Sequence, residues 1–197
     1  FCRDATKREF CDGVIKPDLD LFFERLKELM DDIAGKYPLI LMEQMVASHT
    51  AARKAYANSY GVEYALQNGA YQLSLMYSGH EGEKSSSFFG TELTFSDLSR
   101  PLIELGSIAE DLESVEKQIH TEAFPGKYEG VAVLAPSCLG EMFYYMLANF
   151  TGSAAMIAGT SIWKDKLREK VAHEGLTVSL NPGDPRVVCP ERFTGDG

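Results

Sequence analysis

A tight turn with strand-like sequence on both sides sets the architecture open to this chain. Asn58-Ser59-Tyr60-Gly61 combines two residues that tolerate positive φ, so the chain can reverse there with little strain. Beyond it Val62, Tyr64 and Leu66 alternate, and so do Tyr71, Leu73, Leu75 and Tyr77. A period of two places each set on one face of an extended strand. Before the turn, residues 39–46 are apolar and residues 50–57 run straight into it. The segment therefore predicts an antiparallel hairpin. Asn68-Gly69, between the two alternating sets, is either a second tight hairpin or a bulge in one long strand. Another strand over 85–94 is expected after the Gly79-His80-Glu81-Gly82 turn.

Helices flank this block. Asp18 is placed to cap one whose face carries Phe22, Leu26, Leu29, Met30 and Ile33, with Gly35 and Pro38 as stops. Ser96 or Ser99 caps a second, over about 99–119, with Pro101 tolerated in its first turn. Its stripe is Leu102, Leu105, Ile108, Leu112, Val115 and Ile119. Pro125-Gly126 is the clearest boundary. After it come a short buried strand over 128–135 and an amphipathic helix from near Cys138. Leu139, Met142, Phe143, Met146, Leu147 and Phe150 share that helix's face, and Thr151-Gly152 ends it. A small-residue loop, a charged helix over 162–171, a strand over 176–180 and the turn Asn181-Pro182-Gly183-Asp184-Pro185 complete the reading. Residues 1–15 are polar and show no period. Helices and strands in separate blocks predict an α+β fold, antiparallel strands with long packed amphipathic helices, in parts of two domains.

Charge narrows the partners. The net charge is -10, with 19 basic against 29 acidic residues and no basic run. Phosphate neutralisation needs clustered Lys and Arg, so direct nucleic-acid binding is not expected, nor is adhesion to anionic lipid. The apolar runs 131–135 and 143–148 are too short for a membrane span. Phe1-Cys2-Arg3-Asp4 offers neither an initiator Met nor a signal-peptide pattern. Cys2, Cys11, Cys138 and Cys189 form no CxxC and are expected as reduced thiols, which places the chain in the cytoplasm.

Reactive constellations are sparse. His49, His80, His120 and His173 are too far apart in sequence to share a helical turn or two, and His173-Glu174 lacks the second His of a zinc helix. Cys138 falls at an expected strand-to-helix junction, where free amides can activate a thiol, with Ser137 beside it. No GxSxG surrounds them and no base is assignable, so a buried Cys and a capping Ser are expected. Glu110-Asp111 with Glu113, and Asp31-Asp32, are expected on solvated helix faces. Neither GxGxxG nor a Walker pattern occurs. The residues themselves predict no catalytic group, no metal and no cofactor.

The order of motifs is more informative. A strand, Pro136-Ser137-Cys138-Leu139-Gly140, an apolar helix ending in Thr151-Gly152, and Trp163-Lys164-Asp165-Lys166-Leu167 are followed by Asn181-Pro182-Gly183-Asp184-Pro185. That succession resembles the TldD/PmbA family, once called modulators of DNA gyrase. Phe193-Thr194-Gly195-Asp196-Gly197 resembles the family's segment ending in an acidic residue and Gly. Asn58, Ser59 and Gly61 match its NSxG turn, which leads into a long strand; the resemblance therefore implies a bulge at Gly69. The likeness runs from about residue 18 to the end. It implies a middle fragment, with 1–17 unplaced, 18–124 the family's second domain and 126–197 the start of its third.

Active TldD-type members carry HExxxH on the helix after the strand, giving two metal ligands and a catalytic Glu. Counting back from Gly152, those positions hold Phe143, Tyr144 and Ala148. None can ligate zinc or take a proton. The resemblance thus implies a PmbA-type, metal-free component of a metallopeptidase complex, with a TldD-type subunit and a peptide substrate as partners and only an indirect link to DNA. The alternative is a non-catalytic binding or scaffold module of the same architecture; a cysteine hydrolase using Cys138 is the third reading.

Overall fold

The hairpin forms around hydrogen bonds that Asn58 supplies. In the computed structural model, which describes residues 4–134, 136–179, 181–188 and 190–195, the Asn58 side-chain oxygen accepts from the amides of Tyr60 (3.0 Å) and Val62 (3.2 Å). The Asn58 N–H donates to the Val62 carbonyl at 3.1 Å, and Gly61 takes a φ of 82°, a value that suits glycine. From this turn β2 (Ile40–Ala57) and β3 (Val62–Glu81) run back antiparallel over their whole length. The two segments read before the turn, residues 39–46 and 50–57, thus fall almost wholly in one strand.

β3 is the centre of a mixed sheet. Its other edge is shared end to end by β1 (Thr6–Gly13), parallel to residues 62–69, and by β5 (Phe89–Phe95), antiparallel to residues 71–77. A two-residue strand, β4 (Lys84–Ser85), closes against His80 and Glu81. The fold is α+β, as expected, but β1 corrects the all-antiparallel expectation and lies in a stretch where the sequence shows no period. The bulge expected at Gly69 is also corrected. The ladder passes through Ala51 opposite Gly69 without a break, and the register shift lies between Met42 and Gln44. What Gly69 accommodates is the backbone of Val14, whose carbonyl a Cβ there would strike.

One face of the sheet is covered. Tyr71, Leu73, Leu75 and Tyr77 alternate inward from β3 and pack on α1 (Leu19–Lys36) and α2 (Ile108–Lys117). Asp18 caps α1 through the Leu21 amide at 3.0 Å, and Phe22, Leu29 and Ile33 are buried. Gly35 lies inside the helix and does not stop it; Tyr37, held out of helical geometry by Pro38, does. The second expected helix is broken into a 3-10 turn (Leu102–Glu104) and α2, because Gly106 takes a φ of 57° against Leu93. All six residues of its expected stripe are nevertheless buried. The chain divides into two compact units, residues 1–123 with 181–197, and residues 124–180; everything above belongs to the first.

The second unit contains α3 (Pro136–Phe150) and α4 (Ser153–Ala158), packed on one another. Several expectations fail here. Residues 128–134 and 176–179 are not strand, and residues 162–171 form turns rather than a helix; residues 135 and 180 lie outside the described residues. The α3 stripe is not a buried face either: Met142 is 45% exposed, and Leu139, Phe143, Met146, Leu147 and Phe150 are only half-buried. The physical reason is that no described strand of this unit lies against the helix. Its best-packed point is the Phe150–Trp163 pair, ring centroids 4.9 Å apart. There Ser161 Oγ donates to the Phe150 carbonyl at 2.7 Å.

Candidate functional site

By the resemblance α3 is the helix on which a metal site would be expected, and its residues do not fit one. Phe143, Tyr144 and Ala148 all lie in α3. The helix bears apolar residues where an imidazole pair would be needed. Tyr144 is 71% exposed with its ring against Tyr145, centroids 6.1 Å apart. A phenol, a phenyl ring and a methyl group supply no zinc ligand set and no base at neutral pH. The residues at these positions do not fit the metal, and no metal-dependent step follows from them.

The remaining candidates are dispersed. His49 Nε2 donates to the Val14 carbonyl at 2.7 Å, which fixes its proton on that nitrogen. His80 Nε2 lies 3.0 Å from Ser78 Oγ, which also reaches Glu43 at 3.2 Å. That contact puts the carboxylate on the hydroxyl rather than behind the imidazole, the reverse of a triad's order. His120 pairs with Glu81 at 2.7 Å on the surface, and His173 Nδ1 accepts the Gly175 amide at 3.0 Å. Among the described residues no three His, Cys, Asp or Glu groups gather where an ion would sit. Cys138 is exposed, not buried as expected; no described strand of its unit lies against α3 to cover it. The Ser137 side chain, Cys2, Cys189, Asp196 and Gly197 lie outside what is described.

One polar cluster was not anticipated. Asp111, expected on a solvated face beside Glu110 and Glu113, is 8% exposed. Its Oδ2 accepts from Ser107 Oγ at 2.7 Å and Thr91 Oγ1 at 2.9 Å. Since the Thr91 proton goes to Asp111, Tyr77 must donate its own to Thr91, 2.8 Å away. A directed chain of hydroxyls thus joins β3 and β5 to the start of α2 and ends on a carboxylate. Burial pushes the Tyr77 phenol up to about 12, with the Thr91 hydrogen bond opposing it. The one sequence signal was Ser107 four residues before Asp111, a spacing that puts both on one helix face. Tyr77, Thr91 and Asp111 are all buried, and the cluster reads as a structural pin.

Residues 125–197 match the family described as PmbA/TldA metallopeptidase C-terminal domain. No curated protein matches the chain. Among solved structures it is similar to TldE from Thermococcus kodakarensis, at 14% identity and a TM-score of 0.40, over 53% of this chain. The chain spans 22% of that protein's length. At that score the likeness carries no inference about this chain.

Proposed function

We propose that this chain, whose residues 125–197 match the PmbA/TldA metallopeptidase C-terminal domain, is part of a PmbA-type, metal-free component of a peptide-processing complex. What supports this reading is that residues 136–150 form a helix, on which the resemblance assigns Phe143, Tyr144 and Ala148 to the HExxxH positions. A TldD-type subunit would then supply the metal and the base, while this component contributes binding surface. On the same reading residues 18–124 are the family's second domain and residues 126–197 the start of its third, and the protein works in the cytoplasm. The net charge of -10 without a basic run agrees with an indirect link, at most, to DNA. No helix among the described residues is long and apolar enough to cross a membrane.

The test uses the intact protein. Alone, it should hold no stoichiometric zinc by elemental analysis and leave an unstructured peptide uncut. Mixed with a TldD-type subunit it should raise cleavage, and a chelator should abolish that activity. Stoichiometric zinc together with chelator-sensitive cleavage by this protein alone would overturn the reading. Stable association with such a subunit that leaves cleavage unchanged would favour the scaffold alternative.

A further inference from the structure

Residues 181–197 belong to the first unit, and residues 191–193 lie on the outer half of the β2–β3 hairpin. Three contacts of different kinds hold them there. Arg192 grips Asp12 with two nitrogens, Nε 2.9 Å from Oδ2 and Nη2 2.6 Å from Oδ1. Phe193 sets its ring 5.7 Å from Tyr64 and 6.4 Å from Tyr56, whose own rings stack at 6.2 Å. Glu191 pairs with Lys54. Just before them, Pro190 is buried.

The receiving residues come from three strands and share one pleat face. Tyr56 is opposite Tyr64 and Lys54 is opposite Leu66, while on the far side of β3 Asp12 is opposite Asn68. Alternate positions along a strand point the same way, so Tyr64, Leu66 and Asn68 and their partners form one surface. It presents an aromatic pair, a cation and a carboxylate. An extended Glu-Arg-Phe segment meets each with its complement. The two-pronged geometry at Asp12 fits a guanidinium and not an ammonium, and the stacked tyrosines favour a ring over an aliphatic side chain.

We propose that this face of the hairpin arm is a recognition site for an extended acidic–arginine–aromatic peptide segment, filled in cis by Glu191, Arg192 and Phe193. A tethered segment competes at an effective concentration on the order of millimolar, so the site admits an outside peptide only when residues 191–193 lift off. The proposal stands on the first unit's geometry and is independent of any TldD-type partner.

A labelled peptide of residues 187–194 is the probe, and the full chain is the receptor. Arg192→Ala with Phe193→Ala disables the resident segment, and this variant should bind the peptide at least about ten-fold more tightly than the unaltered chain. Adding Asp12→Asn to that variant should remove most of the gain, as should replacing arginine by alanine within the peptide. Arg192→Lys, a milder change that keeps the charge, should rank between the unaltered chain and the double variant and serves as the receptor should the double variant not fold. A folded variant that binds the peptide no better than the unaltered chain overturns the proposal. So does an unaltered chain that sediments as a dimer which Arg192→Ala dissolves, since the face would then be a contact between copies.

Discussion

Val14 donates its amide to the Gly69 carbonyl at 2.7 Å, while its own carbonyl oxygen takes the space a Cβ on Gly69 would need. The same oxygen accepts from His49. Gly69→Ala should therefore push β1 off β3 and cost about 1–3 kcal/mol in urea unfolding. Gly35→Ala, in a helix with nothing within 4 Å of the new methyl, should be neutral or stabilising by up to about 1 kcal/mol. Equal effects at the two glycines would show that close approach is not what Gly69 is for.

Burial separates the two apolar helices. Leu112 in α2 is fully buried, so Leu112→Ala should cost about 2–5 kcal/mol by denaturant titration. Met142 in α3 is 45% exposed, so Met142→Ala should stay within about 0.5 kcal/mol. Phe143, half-buried, should fall between them rather than at the cost of a core phenylalanine. A large loss at Met142 would mean that α3 is covered in solution.

The hydroxyl chain on Asp111 can be read through its tyrosine. With the Tyr77 phenol raised from 10.0 to about 12, the folded state favours the protonated form. Its contribution is complete below pH 10 and is lost as pH rises through about 12. Burial also raises Tyr37, so ultraviolet titration should show more than one tyrosine ionising late, and Tyr77→Phe should remove the step at about 12. Thr91→Val, which deprives Asp111 of a donor and Tyr77 of its acceptor, should cost about 1–3 kcal/mol.

Acid should loosen the grip of Arg192 on Asp12. The Arg192 guanidinium hydrogen-bonded to Asp12 holds its carboxyl below the usual 3.8, and burial opposes that only in part. A depressed carboxylate contributes stability above its ordinary value and loses it as pH falls through the lowered one. At pH 7 Asp12→Asn should lower the urea midpoint, and the difference from the unaltered protein should close as pH drops below 3.8. A gap that persists undiminished at low pH would assign the effect to packing rather than charge.

What could be read from sequence was what neighbouring residues decide. The Asp18 cap, the α1 stripe and the Asn58 turn depend on contacts within a few positions, and they are as expected. β1 was invisible because Thr6–Gly13 is mostly polar and its partner lies 56 residues on, in parallel, where no turn announces the pairing. Gly69 was misread for the same cause: a third segment, remote in sequence, decides what a glycine there is for. Residues 128–134 and 176–179 are apolar enough for strands, but β-propensity expresses a fit to neighbouring strands, and none is described beside them. The Arg192–Asp12 grip spans 180 residues and had no local trace.

The unbroken ladder from Gln44 opposite Met76 to Ala57 opposite Glu63 also governs how such a chain can change length. A single inserted residue anywhere along that stretch inverts every side chain between it and the next irregularity, moving Tyr71 and Leu73 outward or exchanging Tyr56 for a neighbour. Only two places absorb an insertion without that inversion: the Asn58–Gly61 turn, which is already outside the ladder, and the shift between Met42 and Gln44. Relatives that differ in length across this hairpin should therefore carry their gaps at one of those two points, and everywhere between them only in pairs.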